Sequence, residues 1–519
     1  MRHKDRKSLL GGILLGVLAL CLLLVEPALA TNRYILAGSS GTQAATGCSD
    51  WTTTNACPDL PSSLNRGDLY YVAGGTYGQH VFSDADSGTT IIEIRAATIT
   101  DHGTSTGWLN TLQGAANFVA SGSGTPNNAI FEFRKDYYLI NGNGVRNADW
   151  QGGYLIHVND NNHLAPEASV MIGLSPGGSV GAGTFVHDIV LDYVELEGTH
   201  QATDTTPINC CSNVLESLCG SVGMLRHSLV HDGGNTLMFI KGKHDSLLNN
   251  GTGLCNASST GAQWIIEYSY FFRNYSSSAK HGEGAECDEG QYCTFRYNWF
   301  RDITGTAYIA TPSGCGRTTC NIDNQWDIYG NILQEKNSFS DNGVPCGVGG
   351  AFQVFDVVFN GPVKFYNNTM VNINSSICPN NSVAGGIFVQ QTSPTADLKG
   401  GLIVQNNLWY NNDSFTAVNS CSTCSSLVWD HNAYFAQPIT DTDPNAQIVA
   451  ATNPFVSSGT DNFRLAAATL GGVTLASPFN TDMDGTTRGV DGVWDRGAFE
   501  FDSGKRPPLP PPKVSLVIH

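Results

Sequence analysis

VKFYNNTM (363–370) and IVQNNLWY (403–410) are two copies of a short phrase that recurs along this sequence. Each copy places aliphatic and aromatic residues around one Asn or Ser at a fixed position. Clear further copies are IIEYSYFF (265–272), CTFRYNWF (293–300), WDIYGNIL (326–333) and VWDHNAYF (428–435), and looser ones are LINGNGV (139–145), VLDYVEL (190–196) and MLRHSLV (224–230). The fixed position recurs at spacings of 25 to 51 residues, at Asn143, Val194, Ser228, Ser269, Asn298, Asn331, Asn368, Asn407 and Asn432.

The phrase predicts a β-strand, because it is too short for a helix, alternates with a period of two and is rich in Ile, Val, Phe, Tyr and Trp. A strand that recurs every 20 to 50 residues, roughly, is typical of a stacked array. A constant phrase with uneven spacing indicates a coiled chain whose equivalent strands pair in parallel while the turns vary in length. The recurring Asn suits a left-handed bend between strands and can stack in a ladder. A propeller is the alternative, but its blades need about four strands per 40-odd residues.

Three further stretches carry a family resemblance. GDLYYVAGGTYGQHVF (67–82) resembles the opening rung of right-handed parallel β-helix proteins, the pectate-lyase-like superfamily. NPFVSSGTDNFRLAAAT (453–469) and ASPFNTDMDGTTRGVDGVWDRGAFEF (476–501) resemble the closing segment of that family. The resemblance implies an all-β, single-domain right-handed parallel β-helix, a solenoid with a capping N-terminal segment and an irregular C-terminal segment. It leaves the activity open, because this fold hosts lyases, hydrolases, epimerases, adhesins and structural spikes.

The predicted organisation has five parts. Residues 1–30 read as a signal peptide, with a basic start, an apolar run of 17 residues and a small-residue pattern that favours cleavage after Ala30. An uncleaved membrane anchor is the alternative. Residues 31–66 form an N-terminal cap with a Cys48–Cys57 disulfide, residues 67–440 the β-helix, residues 441–501 its closing segment, and residues 502–519 a Pro-rich tail.

Composition limits the function classes. Export to an oxidising compartment would allow up to seven disulfides among the 14 cysteines that follow Cys21. The formal net charge is −18, which argues against nucleic acid and anionic membranes as partners, since both bind basic surfaces. The same charge weighs against a polyanionic substrate unless a basic groove or a bound cation offsets it. We therefore expect a secreted, monomeric protein whose partner is extracellular polysaccharide.

The charge-rich stretch SAKHGEGAECDEG (278–290) is the first candidate site, because only 14% of all residues are charged. If 281–285 is extended, His281 and Glu283 share a face, and we expect that face to point outward. The preceding rung brings Lys241 and the following rung brings Tyr308, if the estimated register holds. These groups would then converge on the outer cleft of the helix.

Two mechanisms fit this set. A lyase needs a base, for which Lys241, His281 and Tyr308 are candidates, and a cation such as Ca²⁺, which Glu283, Glu286 and Asp288 could hold. A hydrolase needs only two carboxylates, and Glu283 and Asp288 could be that pair. The sequence leaves both mechanisms open. Alginate- and chondroitin-type β-helix lyases carry a Lys-Ser pair and an Arg-His-Gly stretch on adjacent rungs. This chain has Asp288-Glu289-Gly290 where the first might fall and no Arg-His-Gly, so no catalytic assignment carries over.

The alternative interpretation is that residues 278–293 form a solvated acidic turn tied down by Cys287 and Cys293. His227 and His231 are expected to decorate a turn in the same way. The protein would then be a non-catalytic surface, adhesin or matrix protein in which the solenoid serves as a rigid rod.

Overall fold

The computed structural model describes most of the chain outside its two ends. The described residues are 30–120, 129–159, 168–173, 186–198, 213–217, 222–234, 236–240, 263–274, 282–287, 292–305, 307–311, 321–322, 325–336, 350–354, 358–378, 386–389, 397–413, 418–419, 426–437 and 443–501. The predicted signal peptide, up to residue 29, and the predicted Pro-rich tail lie outside these ranges. Within them, no helix has the length and apolarity that a membrane crossing requires.

Three long parallel sheets form the body of the molecule, and each strand pairs with the equivalent strand one rung further on. Sheet 1 contains Asn32–Ile35, Leu69–Val72, Ile92–Ala96, Tyr138–Asn141, Ile189–Asp192, Gly223–Arg226, Gln263–Glu267, Tyr292–Arg296, Trp326–Tyr329, Val363–Tyr366, Leu402–Gln405 and Leu427–Asp430. Sheet 2 contains Gly75–Tyr77, Ala116–Val119, Ile156–Asn159, Val194–Glu197, Leu229–Gly233, Tyr270–Asn274, Trp299–Ile303, Ile332–Gln334, Thr369–Val371, Leu408–Tyr410, Ala433–Phe435 and Gln447–Val449.

Sheet 3 contains His80–Phe82, Ala129–Phe133, Ala168–Ile172, Asn213–Ser217, Met238–Ile240, Ala285–Cys287, Ile309–Ala310, Phe352–Val354, Ile387–Val389 and Val418–Asn419. Smaller elements are a three-stranded parallel sheet (Asn321–Ile322, Val358–Phe359, Asp397–Leu398), a hairpin (Phe455–Ser457, Asn462–Leu465) and two 3₁₀ turns (Asn110–Leu112, Ser458–Thr460). Stacked parallel sheets joined rung by rung define a right-handed parallel β-helix, so the predicted fold class is confirmed.

The interior of the helix is a column of apolar side chains aligned by the strand register. In sheet 1 one such column runs through Ile94, Ile140, Leu191, Leu225, Ile266, Phe295, Ile328, Phe365, Val404 and Trp429. All of these side chains are buried. Since alternate residues of a strand point to opposite faces, the residues between them lie on the outside of the helix.

The predicted ladder of polar side chains lies at the bend between sheets 1 and 2. Nδ2 of Asn331 donates to Oδ1 of Asn368 (2.9 Å), and Nδ2 of Asn368 donates to Oδ1 of Asn407 (3.1 Å). The ladder continues through Asn432, whose Nδ2 donates to the carboxylate of Asp443 at 3.0 Å. Each amide also satisfies backbone groups of the bend, so the ladder prediction is confirmed.

At Asn143 the left-handed conformation falls on the fixed position as predicted (φ 62°), but at later bends the left-handed residue precedes the ladder residue, and there the sequence prediction was wrong. Tyr193, His227, Tyr268 and Tyr297 all have φ between 49° and 59°. Their rings stack along the helix, with successive centroids 4.5, 5.4 and 5.0 Å apart. These aromatic residues are therefore stacked while their backbone takes the left-handed conformation, which Gly and Asn adopt more readily.

The two ends of the chain pack on the helix in different ways. Strand Asn32–Ile35 pairs with Leu69–Val72 as the first strand of sheet 1, and the Cys48–Cys57 disulfide is present as predicted. Residues 453–501 fold back over the later rungs of sheet 2. There Phe463 and Phe479 join an outer apolar cluster with Trp299 and Leu408. The earlier rungs of sheet 2 carry polar side chains instead.

Candidate functional site

The outer face of sheet 2 brings together side chains that are far apart in the sequence. The register aligns His157 with Glu195, and Glu197 with His231. Because neighbouring strands lie about 4.8 Å apart and alternate residues share a face, these four side chains meet on three successive rungs. We call them the His–Glu cluster.

The groups of the His–Glu cluster are in direct contact. Nε2 of His157 lies 3.1 Å from Oε2 of Glu197 and 3.6 Å from Oε1 of Glu195. Nε2 of His231 lies 3.2 Å from the same Oε1 of Glu195. The side chains are 9–19% exposed, so the cluster is largely shielded yet still reached by solvent.

The other ring nitrogen of each histidine is held by an acceptor. Nδ1 of His157 donates to Oδ1 of Asn117 at 3.2 Å, and Nδ1 of His231 donates to Oδ2 of Asp232 at 2.5 Å. Arg273 pairs with the same Asp232 oxygen. These contacts turn both Nε2 atoms toward the glutamates, which is how outer partners commonly fix a histidine ring.

The contacts set the charge state of the cluster. Burial alone would lower the pKa of His231, but its hydrogen bonds to Asp232 and Glu195 raise that pKa to about 10. Burial would raise the pKa of Glu195, but the hydrogen bond from His231 and the charge of His157 lower it below its ordinary value. Glu195 is therefore an ionised carboxylate at neutral pH.

Two arginines lie next to the cluster on the following rungs. Phe272 pairs with His231 in the register, and the guanidinium groups of Arg273 and Arg301 lie 4.6 and 5.3 Å from the centre of its ring. Nη1 of Arg301 also donates to the hydroxyl of Tyr270 at 3.3 Å. Arg273 pairs with Asp232, and Arg301 pairs with Asp302 and Asp461, so the cluster adjoins further ion pairs.

An open cleft of about 830 Å³ extends along the same face toward the C-terminal segment. The aromatic side chains that line it are Trp150, Tyr193, Tyr268, Trp299, Phe463 and Phe499. Arg146 joins one wall together, because it donates to the carbonyl of Tyr268 (2.7 Å) and its guanidinium lies 4.1 Å from the centre of the Trp150 ring. Trp299 belongs to the outward row that also contains Glu195, three strands away, so cleft and cluster share one surface.

The charge-rich stretch predicted from the sequence leads into sheet 3. Strand Ala285–Cys287 pairs with Met238–Ile240 before it and Ile309–Ala310 after it, so the predicted neighbouring rungs are confirmed. Lys241, His281 and Asp288 lie outside the described residues, and their roles stay predictions.

Glu283 does not point outward, so the predicted placement was wrong for this residue. Its side chain is fully buried, and Oε2 accepts a hydrogen bond from Oγ1 of Thr236 at 3.0 Å. The backbone carbonyl of Glu283 also accepts from Nδ2 of Asn274. The expectation that a rung interior rejects charge failed because polar partners satisfy the carboxylate there.

Tyr308, the predicted base of the next rung, is also buried, inside the main apolar core. Its hydroxyl donates to Oε1 of Glu335 at 3.0 Å. Burial and the nearby Glu335 raise the pKa of Tyr308 well above its ordinary value. An outward position in the cleft, as predicted for Tyr308, is therefore wrong.

Glu286, a predicted metal ligand, is on the outer face of sheet 3, since its strand neighbours Ala285 and Cys287 belong to the core. Only 6% of Glu286 is exposed. The Cys287–Cys293 disulfide assumed for a structural turn is present. The low exposure of Glu286 and the neighbouring disulfide favour a structural role for this part of the stretch.

His231 is the functional candidate that the sequence interpretation missed. It was expected to decorate a turn, but it lies within strand Leu229–Gly233 and faces the cluster. His227, given the same expectation, stacks between Tyr193 and Tyr268 and its Nδ1 contacts Asp192 (2.9 Å). The signal for His231 was its position two residues after Leu229, on the outward alternation of the strand.

The fold and the site together define a right-handed parallel β-helix with a polar cluster and an aromatic cleft on one outer face. No protein-family model and no curated protein matches the chain. Among solved structures it is similar to pectate lyase Pel9A, with 13% identity over 92% of this chain and 98% of that chain and a TM-score of 0.45. It is also similar to the PL6 family alginate lyase AlyGC, with 10% identity over 76% of this chain and 52% of that chain and a TM-score of 0.31. At these identities the likeness concerns the fold.

Proposed function

We propose that this protein is a secreted enzyme that cleaves a uronate-containing polysaccharide on the outer face of sheet 2. The observation that carries the proposal is that the aromatic cleft and the His–Glu cluster lie on the outer face of the same sheet, with Trp299 and Glu195 in one outward row. A trough of about 830 Å³ has room for several sugar rings.

The cleft suits a carbohydrate chain. Trp150, Tyr193 and Tyr268 are partly exposed, and the parts of these rings that line the cleft offer apolar surface to the C–H groups of sugar rings. Arg273 and Arg301 lie beside the cluster, next to the Phe272 ring. Each is paired with an aspartate, but a guanidinium group has five N–H donors, so it keeps donors with which it can recognise a substrate carboxylate.

The charge state of Glu195 suits the base of an elimination. Its lowered pKa keeps the carboxylate ionised, so Glu195 cannot serve as the protonated acid that a hydrolase also requires. In elimination, the carboxylate of Glu195 takes the proton from the carbon next to the uronate carboxyl group. The C–H pair then forms the new C=C bond, and the glycosidic C–O bond breaks with its electrons on the leaving oxygen. The arginines stabilise the charge that develops on the uronate carboxylate.

The test is a panel of uronate and neutral polysaccharides incubated with the purified protein. Ultraviolet absorbance detects the unsaturated product and a reducing-end assay counts broken bonds. We expect both signals to rise together on a uronate polymer. Reducing ends without absorbance would mean hydrolysis, which contradicts the proposed reaction. Binding without any product would favour the alternative of a non-catalytic surface or matrix protein.

A further inference from the structure

We propose that His157, Glu197 and His231 form a binding site for one divalent transition-metal ion of the Zn²⁺ class. Within the described residues this is the group whose ligand atoms come close enough together, with one atom from each residue and all three within 4.8 Å of one another. Two imidazoles and one carboxylate on a rigid sheet match the donor set that such ions prefer.

The distances already approach those of a coordinated ion. Ligand atoms bonded to a tetrahedral ion at about 2.0–2.1 Å lie roughly 3.3 Å from one another. Nε2 of His157 is 3.1 Å from Oε2 of Glu197, and small rotations of the side chains would bring Nε2 of His231 to the same separation. The strands that carry the three residues are paired in register, so the site needs no movement of the backbone.

The hydrogen bonding of the His157 ring is a second and independent observation that supports a metal site. Its Nε2 atom is buried and makes no hydrogen bond, although it lies beside Glu197. Nδ1 of His157 contacts Oδ1 of Asn117, an acceptor that keeps a ring proton on Nδ1, so Nε2 is the atom that can bind an ion once it carries no proton. His231 is held through Nδ1 by Asp232 in the same manner, and an ion would replace the Nε2 proton that His231 shares with Glu195.

The donor set also selects the class of ion. Ca²⁺ takes six to eight oxygen ligands, and two of the three donors here are nitrogen. The site is therefore distinct from the Ca²⁺ site predicted on Glu283, Glu286 and Asp288. Three protein ligands leave coordination positions open, and a uronate carboxylate could occupy them beside Glu195; only this role in the reaction rests on the proposed function.

Metal binding can be tested without any polysaccharide. Metal-free protein is titrated with Zn²⁺ by calorimetry and with Co²⁺ by visible absorption, which reports nitrogen and oxygen ligands directly. We expect one ion per molecule, an intense Co²⁺ band and a rise in melting temperature with Zn²⁺ that Ca²⁺ does not give. The variants His157→Gln and His231→Gln should each weaken binding at least tenfold, and Glu197→Gln should weaken it less.

His102→Gln is the matched control, because His102 stacks on Trp108 in the turn before strand Ala116–Val119 and is not one of the three proposed ligands, so binding should be unchanged. Circular dichroism of each variant separates loss of the site from loss of the fold. Absence of Zn²⁺ binding by the folded wild type would overturn the inference. Undiminished binding in a folded His157→Gln/His231→Gln double variant would overturn it as well. A chain that binds the ion but cleaves nothing would contradict the proposed function and leave the metal site standing.

Discussion

Nε2 of His231 lies 3.2 Å from Oε1 of Glu195, although 36 residues separate the two along the chain. The contact is diagonal, since the register pairs His231 with Glu197 and pairs Glu195 with Leu229. Such contacts arise because every rung returns the chain to the same face about 4.8 Å further along the axis. The fold thereby assembles a group of ionisable side chains from strands that show no local motif.

Replacement of Glu195 by Gln should strongly reduce cleavage, and circular dichroism must show that the variant is folded, because Glu195 also pairs with His231. Gln keeps the size of the side chain but cannot accept the substrate proton as an ionised carboxylate does. We expect the rate to fall by about 10²- to 10⁴-fold, the range that general base catalysis supplies. The measurement is the initial rate of ultraviolet absorbance on the active polysaccharide. Glu93→Gln, on the outer face of sheet 1 where Glu93 pairs with Arg95, is the control and should keep the wild-type rate. Full activity of Glu195→Gln would refute its assignment as the base.

Asn368→Ala should destabilise the helix strongly. Asn368 is fully buried, donates to Asn407 and to the carbonyl of Ile328, and accepts from the backbone and side chain of Asn331. Its removal leaves several buried polar groups without partners, at a cost on the order of 3 kcal/mol. Thermal unfolding followed by circular dichroism checks this. The exposed Asn110→Ala should shift the melting temperature little, and equal shifts in both variants would contradict the ladder's role.

Thr236 and Glu283 should be energetically coupled, because their side chains share a buried hydrogen bond. Thr236→Val and Glu283→Gln are made singly and together, and unfolding free energies are measured for all four proteins. We expect a coupling energy on the order of 1 kcal/mol. Strictly additive effects would mean that the two side chains act independently and that Glu283 is stabilised by other groups.

His187 should make stability depend on pH in the alkaline range. Its hydrogen bonds to Asp136 (2.9 Å) and Asp188 (2.6 Å) raise its pKa to about 10 from an ordinary value of 6.5. The folded state thus holds the proton more tightly than the unfolded state. The stabilisation is fully present below pH 6.5 and is lost as pH rises toward 10.

The corresponding measurement compares melting temperatures of wild type and His187→Gln at pH 6 and pH 9.5. The wild type should be the more stable protein at pH 6, and the gap should narrow at pH 9.5. His102→Gln should track the wild type at both values. A gap that stays constant or widens with pH would show that the two aspartates do not hold a proton on His187.

The sequence predicted the fold because the phrase around Asn331, Asn368 and Asn407 encodes both the strand period and the bend. At the bends that contain Tyr193 and Tyr268 it placed the left-handed residue one position late. These two tyrosines take the left-handed conformation with stacked rings, whereas the prediction assigned it to the residue that follows. The strand period and the bend are local features of the chain, so a repeated phrase in the sequence reveals them.

The site was harder to predict, because it depends on which rungs are neighbours and on what each turn buries. The composition of the charge-rich stretch near Glu283 suggested a site. The Glu283 carboxylate is instead buried in the rung interior, where it accepts a hydrogen bond from Thr236. His157, Glu195 and His231 lie in strands of three successive rungs, and only Glu195 belongs to a recurring phrase. The exact register is therefore needed to see that they meet.

The cleft is the central claim, and the affinity of the Trp150→Ala variant for the active polysaccharide tests it most directly. Trp150 forms part of the cleft wall with Arg146, so its loss should weaken binding in affinity electrophoresis by about tenfold, or roughly 1.4 kcal/mol. Trp108→Ala, at the N-terminal end where Trp108 packs on Trp51, is the matched control and should bind as the wild type does. Wild-type affinity in a folded Trp150→Ala variant would contradict the account and place the polysaccharide on another face of the helix.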